Sequence, residues 1–161
     1  MTNATIELPL EGVRVFELGI AIASPFCGRL MAHFGADVIK VESQTNPDVV
    51  RIMGTAWSRG RDDLVAAAPD TSPYVPEMNA SKRSVGLELK TDAGRDVALR
   101  LIAECDVFLA NFAARALTDL GLDYESVSAV NPNIIYVQLP AFGSDPEMPY
   151  YSFVAWGPNQ A

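Results

Sequence analysis

Apolar positions along this chain fall into short continuous runs that alternate with stretches spaced three or four residues apart. "VRVFELG" (13–19) is apolar and β-branched, the pattern of a strand buried on both faces. After "AIASP", Ser24 stands before Pro25, the arrangement of an N-cap followed by proline at the first helical position. Phe26, Leu30, Met31 and Phe34 then recur at helical spacing, and Gly35 suits a helix stop. "ADVIKVES" (36–43) returns as a second strand. A strand–helix–strand unit of about thirty residues predicts a parallel sheet with a right-handed crossover.

Residues 44–80 break the pattern, with Pro, Gly, Asp and Arg in no sustained period. They predict a long loop with one short helix, and long loops in compact domains are usually lids or binding segments. "SVGLELK" (84–90) is the third predicted strand. "TDAGRDVALRLIAEC" follows as a helix beginning at Thr91, with Val97, Leu101 and Ile102 apolar. "DVFLANF" (106–112) is a fourth strand, "ARALTDLG" and "DYESVSAVN" are two short helices, and "NIIYVQLPAFG" (133–143) is a fifth strand. The predicted fold is α/β, a Rossmann-like doubly wound domain with a mainly parallel sheet.

Composition narrows the partners. The 161 residues fit one domain with a real core. A net charge of −8 argues against nucleic acid or an anionic membrane surface as main partner. It leaves room for an anionic small molecule held by a few local cations. No apolar run is long enough for a membrane span. "MTNATIELPL" lacks the features of a secretion signal, so a cytoplasmic location is expected. Cys27, Cys105 and the single histidine, His33, form no metal-ligand pattern and no histidine-based triad. His33 reads as a surface residue at a helix end, and the cysteines read as small apolar side chains.

In parallel sheets ligands bind beyond the carboxyl ends of the strands. The first such loop, "GIAIASP", has no G-x-G-x-x-G, which argues against a dinucleotide oxidoreductase. In "NASKRS", Lys82 and Arg83 read either as a solvated basic pair or as a phosphate contact through charge-assisted hydrogen bonds. In "ANF", Asn111 reads as a helix cap or as a ligand-amide contact. Phe112 reads as core or as a cover for an adenine ring.

The ordered blocks "LPLEGVRVFELG", "GRLMAHFGADVIKVES", "NASKRSVGLELKTDAGRD", "CDVFLANF" and "LGLDYESVSAVNPNIIYVQLPAFG" resemble the N-terminal portion of the family III CoA-transferases. That family includes formyl-CoA and carnitine CoA-transferases and α-methylacyl-CoA racemases. The resemblance implies that residues 1–161 are a single Rossmann-like N-terminal segment of a longer, interlocked dimer. The small domain and the C-terminal return are then absent from this chain. It also implies acyl-CoA and a carboxylic acid as substrates, a homo- or heterodimeric partner, no tightly bound cofactor, and CoA contacts by Lys82, Arg83, Asn111 and Phe112.

The family's mechanism is nucleophilic: an aspartate carboxylate attacks the acyl-CoA thioester, giving an acyl anhydride and CoA thiolate. In this sequence the aspartate's place after an aromatic residue falls in "AWGPNQ", where Gly157 follows Trp156. Asp145, in "GSDPEMP", reads as a turn residue. Other departures are Ile22 at a frequent glutamine, and Ser43 and Asp119 at two CoA-contacting arginines. The expectation is therefore a catalytically degenerate segment or subunit that needs an aspartate-bearing partner. The alternatives are a non-catalytic acyl-CoA-binding or dimerisation module, and a racemase or lyase on the same scaffold.

Overall fold

A computed structural model of the chain describes residues 7–51, 72–145 and 147–148. In chain order the elements are β1 (Arg14–Leu18), α1 (Ala23–His33), β2 (Asp37–Glu42), a 3-10 turn (Val49–Arg51) and α2 (Tyr74–Asn79). There follow β3 (Arg83–Gly86), α3 (Asp92–Ile102), β4 (Val107–Ala110), α4 (Ala114–Asp119), α5 (Tyr124–Val130) and β5 (Ile135–Gln138). The strands form one all-parallel sheet in the order β3-β2-β1-β4-β5. The order reverses between β1 and β4, which makes the mouth between their carboxyl ends the switch point.

Alternation along β1 sends Phe16 and Leu18 to one face and Val15 and Glu17 to the other. The first face packs Phe108, Ile102, Leu117, Leu122 and Val127 against α3, α4 and α5. Phe16, Phe108 and Tyr136 are register partners on three adjacent strands, and their rings stack at 5.6 and 4.7 Å between centroids. The second face joins Val15, Val38, Val107 and Leu109 to Ala32 of α1. Helices on both faces give the expected doubly wound arrangement.

Local details differ from the sequence reading in three places. The N-cap of α1 is Ile22, with no side-chain cap, and Ser24 is a fully buried helical residue. The cause lies upstream: Ala21 adopts a left-handed φ of 60° that turns the chain into the helix early. Phe26, Leu30 and Phe34 are exposed, while α1 buries Ser24, Pro25, Gly28 and Ala32. Small residues face the sheet because a charged side chain from β1 occupies the space beneath Gly28. Finally, β5 is shorter than the predicted strand and among the described residues pairs with β4 alone, and Ile135 is exposed.

Gly35 ends α1 with a φ of 102°, as the sequence suggested, and a Cβ there would lie 2.6 Å from that of Leu8. Thr91 caps α3 by accepting from the Gly94 amide. Asp145 accepts from the Glu147 amide, which makes it a turn residue. No helix among the described residues is long and apolar enough to cross a membrane.

Candidate functional site

Two loops meet at the switch point. The β1–α1 loop leaves Leu18 through Gly19, Ile20 and Ala21, and the β4–α4 loop begins with Asn111 and Phe112. The Asn111 side chain accepts from the Ile20 amide at 2.9 Å and donates to the Ile20 carbonyl at 2.8 Å. On its other flank the same loop is held by Lys40 and Asp48. Lys40 Nζ donates to the Gly19 carbonyl at 2.8 Å, and Asp48 Oδ1 accepts from the Ala21 amide at 2.8 Å. Gly19 has no room for a side chain, since a Cβ would fall 2.3 Å from Ser24 Oγ.

Beneath this loop lie two acids and two bases, all with buried side chains. Lys40 Nζ contacts Asp48 Oδ2 at 2.9 Å and Glu17 Oε1 at 3.7 Å, and Lys82 Nζ contacts Glu17 Oε2 at 2.7 Å. The two lysines take one Glu17 oxygen each, Lys82 at charge-assisted hydrogen-bond distance and Lys40 farther away. Burial pushes Glu17 above the ordinary carboxylate range against the pull of Lys82 and Lys40. Burial likewise lowers Lys82 against the support of Glu17. The four formal charges cancel, which is what makes the burial tolerable. Gly28 suits this place, because a Cβ would stand 1.9 Å from Glu17 Oε2 and the carboxylate would have to shift.

Above the loop opens a pocket of about 290 Å³ beyond the carboxyl ends of β1, β2, β3 and β4. Leu18, Val41, Leu89, Phe112 and Leu120 supply its apolar lining. Its charged lining residues are Glu42, Glu88, Asp119 and Lys90. Arg51 binds both oxygens of Glu42, at 2.5 and 2.9 Å. Burial raises the Glu42 pKa, but the hydrogen bonds from Arg51 and the Asp48 amide outweigh it and hold the group below its usual range. Glu88 is held low by hydroxyls of Ser43 and Thr45.

The four candidate residues separate in space. Phe112 lines the pocket and Asn111 braces its wall. Lys82 does not line the pocket: its ammonium is under α1, on Glu17, the Pro25 carbonyl and Asn79. Arg83 begins β3 and pairs with Asp37 at the amino end of β2, at 2.5 and 2.7 Å. The Trp156–Gly157 position lies outside the described residues. His33 is exposed and Cys105 is buried, with its thiol pushed up by burial to about 11. No cluster able to hold a metal occurs among the described residues.

Sequence reasoning missed Lys90, and it missed the buried quartet. A signal existed for the quartet: Glu17 and Lys40 are charges inside apolar strand runs, at register-paired positions.

The family model described as "CoA-transferase family III" matches residues 10–159. A succinate–glutarate CoA-transferase of Agrobacterium fabrum is 37% identical over 148 residues, covering 92% of this chain and 36% of that protein. The beta subunit of a succinyl-CoA–L-malate CoA-transferase of Chloroflexus aurantiacus is 38% identical over 143 residues, covering 89% and 33%. A crystal structure of a CAIB/BAIF family protein from Brucella suis superposes with a TM-score of 0.78 at 34% identity, covering 94% of this chain and 38% of that one. The chain thus spans about a third of the length of the curated relatives it matches.

Proposed function

The chain belongs to CoA-transferase family III, and from that membership we propose that it supplies part of a CoA site in an enzyme moving CoA between an acyl-CoA and a carboxylic acid. The observation that carries the proposal is the pocket at the β1/β4 switch point, walled by residues 18–20, 41–43 and 88–90 and by Phe112. Its size and apolar lining suit one part of CoA, such as the adenosine, and not the whole molecule. Phe112 would lie against the ring. Asn111 would act through Ile20, and Lys90 is the cation among the described lining residues. A role for Lys82 or Arg83 at CoA would require each to leave its present carboxylate partner.

The catalytic half of the proposal is that residues 1–161 form a degenerate segment. Gly157 stands where the family's nucleophilic aspartate is expected, and glycine has no carboxylate to form the anhydride. The chain would then act in a dimer with an aspartate-bearing partner. Succinyl-CoA is the first donor to try, because relatives named for succinyl-CoA match at 37% and 38% identity.

The test is to incubate the chain with succinyl-CoA and hydroxylamine, alone and with a full-length family member bearing the aspartate. Acyl hydroxamate is expected only with the partner, at a rate above the partner's own. Hydroxamate formed by this chain alone at an enzymatic rate would overturn the degenerate assignment. Calorimetric titration with CoA tests the binding half separately.

A further inference from the structure

We infer that Lys40 and Asp48 are positioning residues: buried together beneath the β1–α1 loop, they hold Gly19–Ala21 in the shape that lets Gly19 and Ile20 wall the pocket. This rests on reading that pocket as a CoA site. Lys40 leaves the middle of the sheet with its side chain 3% exposed, and Asp48 is 1% exposed. One ion pair reaches both ends of the loop, since Lys40 takes the Gly19 carbonyl and Asp48 takes the Ala21 amide. Asp48 Oδ1 also accepts from the Val50 amide, tying the 3-10 turn to the same point. Asn111 then fixes Ile20 between these anchors.

Backbone geometry supports the assignment independently. Ala21 and Ser81 are the non-glycine residues with left-handed φ among those described, at 60° and 65°. Ala21 donates to Asp48, and Ser81 immediately precedes Lys82, which completes the buried charge balance. A residue with a Cβ holds such a conformation only where its surroundings over-determine it. Charge pairing by itself gives no reason to keep the pair, because well-packed apolar side chains of similar volume often replace a buried ion pair at little cost. What apolar side chains lack is a donor for the Gly19 carbonyl and an acceptor for the Ala21 amide.

The experiment compares the unaltered chain with the double variant Lys40→Met/Asp48→Leu, which removes one charge of each sign and leaves the Glu17–Lys82 pair. The variant is expected to stay folded at room temperature but to unfold about 5–15 °C lower, because the Gly19 carbonyl and the Ala21 and Val50 amides lose their partners. CoA affinity by calorimetry is expected to fall about tenfold or more, because the wall must be ordered on binding. A stable variant that binds CoA within about twofold of the unaltered chain would overturn the inference. Hydrogen exchange at the Ala21 amide of the unaltered, ligand-free chain gives a reading that does not depend on the variant folding. Slow exchange is expected; exchange as fast as an open loop sinks the clamp. If the unaltered chain gives no heat with CoA while the Ala21 amide is protected, the CoA reading falls, and the ligand role of the clamp with it.

Discussion

The side chain of Asn111 meets both hydrogen-bonding groups of the Ile20 backbone, accepting at 2.9 Å and donating at 2.8 Å across 91 residues of sequence. A primary amide is the side-chain group that matches a peptide in this two-sided way, one acceptor beside one donor. The contact joins the strand ends on either side of the switch point. A ligand entering there meets a wall already set.

Replacing Asn111 by aspartate therefore removes one half of the match and sets a carboxylate oxygen against the Ile20 carbonyl. Asn111→Asp is expected to lower stability by about 1–3 kcal/mol at neutral pH. The deficit should shrink in acid, where a protonated carboxyl regains a donor. Denaturant unfolding at two pH values measures both effects, and an unchanged midpoint at neutral pH would dismiss the paired-amide account.

Gly28 lies over the buried carboxylate of Glu17. Alanine ordinarily favours a helix over glycine by about 1 kcal/mol. At this position the added Cβ would be 1.9 Å from Glu17 Oε2, with Lys82 Nζ at 3.3 Å. Gly28→Ala is expected to cost about 1–3 kcal/mol despite the helical gain. A stabilised variant in a denaturant titration would show that α1 does not press on the charge cluster.

Glu42 ties the end of β2 to Arg51 and to the Asp48 amide. Its pKa is depressed in the folded state from the ordinary value of 4.5. As pH falls, the unfolded chain takes up the proton first. The stabilisation is therefore complete above that value and is lost as pH drops through the depressed one. Glu42→Gln is expected to be less stable at neutral pH by about 1–3 kcal/mol. Its melting temperature should fall less steeply than that of the unaltered chain below about pH 4.5. Parallel acid profiles for the two proteins would remove Glu42 from the ion-pair role.

Legibility in the sequence followed the strength of each local signal. The β1–α1–β2 unit was readable because "VRVFELG" and "ADVIKVES" are short, β-branched and largely apolar runs around a helix that Gly35 stops. The cap of α1 was not, since the left-handed turn at Ala21 depends on Asp48, 27 residues away. The buried face of α1 was not legible for a related reason. Phe26, Leu30 and Phe34 mark a helix by their spacing, yet the sheet beneath presents Glu17 and Lys40, and only small residues fit above them. The place of Asn111 and Phe112 at the switch point was legible because both follow the carboxyl end of β4 in a parallel sheet. Lys82 read as a solvated cation or a phosphate contact, and neither reading found its buried pairing with Glu17, because a partner 65 positions away leaves no local trace in sequence.

Asp119 offers the sharpest test of what the pocket accepts. Its lining carries Glu42, Glu88 and Asp119 against Lys90, and Arg51 compensates Glu42. Asp119 itself is 70% exposed and meets Arg115 only at 3.9 Å, a pair that contributes little to stability. Asp119→Arg should therefore leave the unfolding midpoint nearly unchanged while reversing the charge beside the ligand. CoA carries phosphates and adenosine does not. Affinity for CoA is expected to rise about threefold to tenfold at low salt, and the gain should fade as salt screens an exposed cation. Affinity for adenosine should stay where it was. An equal change for both ligands would mean that the substitution reshaped the pocket and not its field, and no change for CoA would place its phosphates away from α4.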